Sequence, residues 1–251
     1  MILMGIVNLT PDSFYEASRV WSGVGIDTGA LNARIGNLLS RGCRILDLGA
    51  VSTRPGAEDV SEEEEWRRLR GALGPAAAAV AKAGEATGLP GISVDTTRSG
   101  IVRKVYGEIG PFIVNDISAG EDDPQMLATV AELSLPYVAM HKRGGPQDMD
   151  ALTDYPEGVT AAVMQYFREF GAKAAAAGIS EWILDPGFGF AKTSEQNWQL
   201  LRDLEEFRVF GRPILAGVAD KRFTKDPLFN GGDLQAAERM AASVADILRI
   251  H

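Results

Sequence analysis

Eight short apolar runs, each followed by a helical pattern, constrain this chain more than any other feature. They are Ile2–Asn8, Cys43–Gly49, Gly91–Asp95, Phe112–Ile117, Tyr137–His141, Trp182–Asp185, Pro213–Val218 and Ala245–His251. Each is nearly continuous in apolar residues, as a strand buried on both faces must be. Strands that alternate with helices imply a parallel sheet, because each crossover needs a helix's length of chain. Eight such units in 251 residues match one complete (β/α)8 TIM barrel. A doubly wound open sheet shares this periodicity, so alternation alone leaves it as an alternative.

The helix candidates between the runs support the reading. Ser61–Lys82 opens with Ser61 and Glu64 at capping-box spacing. Pro156–Ala177 and Ser194–Phe207 are helical in composition, with Ser194 placed to cap the latter. The acidic run Glu62–Glu65 reads as a solvated helix start, and Ala76–Ala79 as helix packing. No internal repeat or linker interrupts the pattern, so residues 1–251 read as a single domain.

Composition then excludes several classes. A net charge of −9 makes the chain a poor general partner for nucleic acid or an anionic membrane. No run of about 18 apolar residues is present to span a bilayer. The first residues, Met1 to Asn8, lack the basic start and cleavage site of a signal peptide and read as a strand. A single cysteine, Cys43, allows neither a disulfide framework nor a cysteine metal site, and the expected compartment is the cytoplasm.

Polar residues gather at the C-terminal ends of the runs. Asn8, Asp47, Asp95, Asn115, Asp116, His141, Asp185, Arg249 and His251 lie there, and Lys221 closely follows the seventh run. In a barrel these positions converge on the face where active sites form. A carboxylate at one strand end often just caps the next loop, but the repetition over so many strands points to a site. Several familiar constellations are missing. There is no Gly-x-Ser-x-Gly elbow, no His/Cys cluster at metal-ligand spacing and no dinucleotide glycine fingerprint. Pro186–Thr193 resembles a phosphate loop only faintly, since Pro186 and Ala191 occupy the two glycine positions.

The loops after the runs carry a recognisable order of motifs. Asn8-Leu9-Thr10-Pro11-Asp12-Ser13-Phe14 follows the first and Ser52-Thr53-Arg54-Pro55-Gly56 the second. Ser93-Val94-Asp95-Thr96 closes the third and Asn115-Asp116-Ile117-Ser118 the fourth. Met140-His141 ends the fifth, Asp185-Pro186-Gly187-Phe188-Gly189-Phe190 follows the sixth, and Arg249-Ile250-His251 ends the eighth. Over essentially the whole chain this order resembles the dihydropteroate synthases, folate-pathway transferases of the pterin-binding barrel superfamily.

The resemblance implies condensation of 6-hydroxymethyl-7,8-dihydropterin diphosphate with 4-aminobenzoate and release of diphosphate. It implies that Asp95, Asn115, Met140, Asp185, Phe190 and Lys221 bind the pterin. Asn8, Arg249 and His251 match diphosphate-binding positions, and Asn8 also matches a ligand to Mg2+, the one cofactor implied. Phe14, Thr53, Arg54 and Lys221 match residues that take part in catalysis. Thr53, Arg54, Pro55 and Phe190 match the aminobenzoate pocket, and Arg222 occupies a position there. The family is commonly homodimeric, which sets the expected assembly.

This chain departs from the family pattern in places. The family usually reads Gly-x-Ser-Arg-Lys-Ser after the seventh strand, where this chain has Gly217-Val218-Ala219-Asp220-Lys221-Arg222. The final serine normally holds the aminobenzoate carboxylate; Arg222 or the start of a helix near residue 221 would have to replace it. Val51 stands where glutamate is usual. The chain also stops at His251, where an eighth helix is expected, implying a shortened or missing last helix, a missing segment or coverage by a partner subunit. Two other functions fit parts of the pattern. One is a pterin-binding paralogue that no longer condenses aminobenzoate. The other is a methyltetrahydrofolate–corrinoid methyltransferase, which has no need of diphosphate ligands, so that Asn8, Arg54, Arg249 and His251 argue against it.

Overall fold

The computed structural model describes residues 1–10, 25–52, 60–84, 88–145, 147–219, 221–228 and 233–251. All eight expected strands form, and all neighbours pair in parallel. In chain order they are β1 (Ile2–Asn8), β2 (Cys43–Gly49), β3 (Ile92–Asp95), β4 (Ile113–Asp116), β5 (Tyr137–Met140), β6 (Trp182–Asp185), β7 (Leu215–Ala216) and β8 (Ile247–Ile250). The ladder runs β6-β5-β4-β3-β2-β1-β8-β7. A parallel bridge from Leu184 to Ile214, with the Leu184 amide 2.9 Å from the Pro213 carbonyl, closes it into a barrel. The open-sheet alternative is thereby excluded.

The helices interleave as α1 (Thr28–Ser40), α2 (Glu62–Ala83), α3 (Ser99–Ile109), α4 (Met126–Glu132), α5 (Val159–Ala177), α6 (Ser194–Arg202) and α7 (Leu234–Val244). Their starts follow capping chemistry. Asp27, Ser61 and Asp233 each accept a hydrogen bond from the amide three residues on. The cap of α6 is Thr193, not Ser194, and it forms a reciprocal capping box with Gln196. The expected helix Ser194–Phe207 stops at Arg202 and tightens into a 3₁₀ turn over Leu204–Phe210. Among the described residues no helix is long and apolar enough to cross a membrane.

The acidic start of α2 is not simply solvated. Glu65 is buried, and its carboxylate takes the Thr96 hydroxyl at 2.6 Å and Arg98 Nη1 at 2.5 Å. Glu62 pairs with Lys104, and Glu64 with Arg67 and Arg68. This run ties α2 to β3 and α3. Long-range partners decide the difference, and periodicity does not report them.

Two cores result from the closed sheet. The larger lies between strands and helices. The smaller plugs the barrel with Met4, Ile45, Ile113, Val138, Ile183, Leu215 and Ile247, one residue from each of seven strands. Strand side chains alternate between faces. Two residues further along each of those strands, the same inward face carries Ile6, Asp47, Asn115, Met140, Asp185, Gly217 and Arg249. The barrel floor is thus greasy and its upper layer polar.

Candidate active site

That upper layer lies beneath a cavity of about 930 Å³ at the C-terminal ends of the strands. Asn8, Asp95, Met140, Asp185, Phe190, Lys221, Arg222, Arg249 and His251 all line it. Asn115 does not. Its side chain is buried behind Asp47, where Nδ2 donates to Asp47 Oδ2 at 3.1 Å. Phe14, Thr53, Arg54 and Pro55, together with Asp220, lie outside the described residues.

Asp47 organises the floor. The sequence marks it only as one more strand-end carboxylate, yet it is fully buried and holds three neighbours. Ser93 Oγ donates to Asp47 Oδ1 at 2.7 Å, and Asn115 approaches the other oxygen. Arg249 Nε lies 2.9 Å from Asp47 Oδ2 as an ion-pair contact without hydrogen-bond alignment. Arg249 Nη2 reaches Asp95 Oδ2 at 3.1 Å. Burial opposes the Arg249 charge, but Asp47, Asp95 and Asp185 outweigh it and hold its proton more tightly than usual. Withdrawal from water raises the Asp95 carboxyl above the ordinary carboxylate range, with Arg249 opposing the shift and Asp47 adding to it.

Asp185 and Lys221 keep polar capacity in reserve. Asp185 Oδ1 accepts the Gly187 amide at 2.8 Å, while Oδ2 has no partner among the described residues. Burial raises its pKa. Lys221 Nζ sits 4.7 Å from the centre of the Phe190 ring. Burial and the nearby Arg249 pull its pKa down to about 8. Phe190 and Met140 supply apolar wall beside these groups.

The loop after β6 is built for close approach. Gly187 has φ +72°, and a side-chain carbon there would sit 2.0 Å from the His141 carbonyl. Beneath it the Lys192 ammonium meets His141 Nδ1 at 3.0 Å, the Gly187 carbonyl at 2.9 Å and the Phe190 carbonyl at 3.0 Å. In the sequence Lys192 belongs only to the faint phosphate-loop likeness, and nothing there signals this pairing. Asp116, another strand-end carboxylate, is consumed structurally. It accepts from the Ser118 and Gly120 amides, the Ser118 hydroxyl and the Tyr137 hydroxyl.

At the rim, Arg222 is engaged by Asp150, with Nη2 2.7 and 3.0 Å from the two carboxylate oxygens. Asp150 lies on a short 3₁₀ turn, Met149–Ala151, in the β5–α5 connection. The helix expected near residue 221 is only a four-residue 3₁₀ turn, Arg222–Lys225. Such a turn is too short to align the peptide dipoles of a helical anion site.

The cavity sets a buried cation, a carboxylate oxygen and an ammonium without hydrogen-bond partners among the described residues, and apolar wall side by side, a lining that can take a polar ring and an anion. Comparison with known proteins agrees. The profile of the family described as pterin binding enzyme matches residues 4–249. The dihydropteroate synthase of Synechocystis is 37% identical over 260 residues, covering 99% of this chain and 84% of that protein. The Escherichia coli dihydropteroate synthase is also 37% identical, over 99% of this chain and 86% of its own length. Among solved structures, Xanthomonas albilineans dihydropteroate synthase with 4-aminobenzoic acid superposes with a TM-score of 0.79 at 34% identity, covering 100% of this chain and 87% of that one. The chain belongs to the pterin binding enzymes, in the dihydropteroate synthase family.

Proposed function

We propose that this chain is a transferase of folate biosynthesis. It joins 6-hydroxymethyl-7,8-dihydropterin diphosphate to 4-aminobenzoate and releases diphosphate. One observation carries the assignment to this cavity. Asp185 Oδ2 and Lys221 Nζ stand without hydrogen-bond partners among the described residues, on the same floor as the buried cation Arg249. The pterin's pyrimidine edge carries adjacent N–H donors, which a rigid carboxylate accepts, while the lysine donates to the ring carbonyl. Each such charge-assisted bond contributes about 1.5–3 kcal/mol. Asp95 and Met140 border the ring, and Asn115 acts through Asp47.

The bond from the pterin CH2 group to oxygen breaks, and its electron pair leaves on the diphosphate. The ring nitrogens delocalise the positive charge left on carbon. The aniline nitrogen then forms the C–N bond and loses its proton to solvent. Preplaced donors and cations lower the barrier most where charge builds. Asn8, Arg249 and His251 are the residues of this cavity for the departing diphosphate. Its Mg2+ belongs with the substrate. Among the described residues no group of three His, Cys, Asp or Glu side chains is placed to hold a resident ion. The Asn8 amide oxygen would help hold Mg2+ brought with the substrate, and the ion would supply charge neutralisation for the leaving group.

Arg222 and Phe190 border the aminobenzoate side, and the loops bearing Phe14, Thr53, Arg54 and Pro55 complete it by family resemblance. The assembly is a homodimer on the same ground. A cytoplasmic setting agrees with the one buried, unbridged cysteine, Cys43. The decisive assay mixes purified protein with dihydropterin diphosphate, Mg2+ and 4-aminobenzoate. Diphosphate release coupled to dihydropteroate formation is expected. Absence of both, with intact pterin binding, would leave a pterin-binding paralogue.

A further inference from the structure

Lys192 and His141 form a buried polar pair that the reaction above does not use. Lys192 borders the cavity yet is only 9% exposed, and His141 is 3% exposed. A buried ammonium requires compensation for the water it has lost. Here its three N–H donors meet three acceptors: one imidazole nitrogen and two carbonyls of the β6–α6 loop. His141 accepts at Nδ1, which places its proton on Nε2. Burial, Lys192 and Arg143 hold its pKa well below the usual range, so the ring stays neutral and available to accept.

The same loop is tied down at almost every polar group. Gly187 N–H reaches Asp185, Gly189 N–H reaches Asn197, and the Ala191 carbonyl takes the Tyr155 hydroxyl. Asn197 returns its amide to the Lys192 and Thr193 carbonyls. The positive φ of 49° at Ala191 turns the chain just before Lys192. The His141 amide bonds the Asp185 carbonyl at 3.0 Å, so the pair joins the ends of β5 and β6.

We infer that Lys192, seated on His141, is a positioning residue for the pterin contact: it clamps the loop between Asp185 and Phe190 and sets its ammonium among the cations that act on the Asp185 carboxylate. The inference rests on the pterin reading of this cavity. Asp185 is faced by Lys192, Lys221 and Arg249; Lys192 is faced by Asp185, His141, Lys221 and Arg143. Burial draws the Lys192 ammonium down to about 7, and Asp185 works against that shift. Well below pH 7 Lys192 is therefore charged.

The test is calorimetry with 6-hydroxymethylpterin, which lacks the diphosphate, from pH 4 to 7, on the full chain and on Lys192→Met, Lys192→Arg and His141→Ala. Lys192→Met should weaken binding about tenfold. It should also move the acid limb of affinity upward, because Asp185 loses a neighbouring cation. Lys192→Arg keeps the charge and should leave that limb in place. His141→Ala should weaken binding without moving it. Inorganic diphosphate affinity, set on the Arg249 side, should change less than pterin affinity in Lys192→Met. A folded Lys192→Met protein with unchanged pterin affinity and an unmoved limb overturns the inference. If that variant does not fold, Lys192→Gln keeps two donors without the charge, and an unmoved limb there overturns it equally. A full chain that fails to bind the pterin at all overturns the pterin reading, and this inference with it.

Discussion

Arg249 on β8 reaches past β1 to lie 2.9 Å from the carboxylate of Asp47 on β2. The contact crosses the barrel interior, and the absence of a side chain at Gly217 leaves room beside the arginine stem, whose Cβ lies 3.8 Å from the position a side chain there would occupy. Asp47 also receives Ser93 and Asn115. Asp47→Ala therefore leaves two donors and one cation without their shared acceptor in a dry interior. The expected loss of stability is about 3–5 kcal/mol, read from urea denaturation. Loss below about 1 kcal/mol would show that water or Asp95 replaces the carboxylate fully.

Much of this architecture is legible in the order of the apolar runs, and strand alternation in the fold then sorts their residues by face. Once Met4, Ile45, Val138 and Ile183 are read as inward, Ile6, Asp47, Met140 and Asp185 must be inward as well. The eight strands follow from apolar runs that alternate with helical patterns, and the gathering of Asn8, Asp95, Asp185 and Arg249 from their places at the C-terminal ends of those runs. Periodicity identifies a face but not the neighbour across it. Asn115 faces inward yet stops behind Asp47, Arg222 is drawn to Asp150, and Lys192 meets a histidine on another strand. The split of the Ser194–Phe207 helix and the burial of Glu65 were hidden for the same reason: tertiary partners decide both.

Glu65 offers a direct check of that point. A solvated helix-start glutamate would tolerate truncation, at a cost of a few tenths of a kcal/mol. The buried acceptor of Thr96 and Arg98 should not. Glu65→Ala should cost about 3–5 kcal/mol in chemical denaturation, while Glu63→Ala, on the same turn and exposed, should cost under about 0.5 kcal/mol.

Lys221 links function to stability through pH. Its pKa in the fold, about 8, lies below the ordinary 10.5. Between these values the unfolded chain binds more protons than the folded one, so this group's contribution to stability rises with pH across that window. At neutral pH its charge therefore destabilises the empty fold, by roughly 3 kcal/mol. Lys221→Met should be more stable than the parent at pH 7, with the difference shrinking towards pH 10. The same variant should lose pterin affinity. Equal stability of the two proteins at pH 7 would show that the ammonium is well hydrated in the cavity.

The Arg222–Asp150 pair bears on how this chain recognises the carboxylate of aminobenzoate without the family's serine. Both side chains border the cavity and both are well exposed, at 76% and 57%. An exposed pair of this kind is weakly held, so a carboxylate arriving at the rim can compete for the guanidinium. Arg222 offers a planar fork that suits such a ligand. Asp150 is then a competitor, and removing it should help. Asp150→Asn is expected to lower KM for 4-aminobenzoate by about twofold to fivefold, with little change in KM for the pterin substrate. Arg222→Ser restores the residue usual in the family but removes the cation, and should raise KM for the acid selectively. An uncharged acceptor, 4-aminobenzamide, separates charge from shape: neither substitution should alter its use. Equal responses of acid and amide would show that Arg222 and Asp150 only fasten the rim, with the carboxylate held elsewhere.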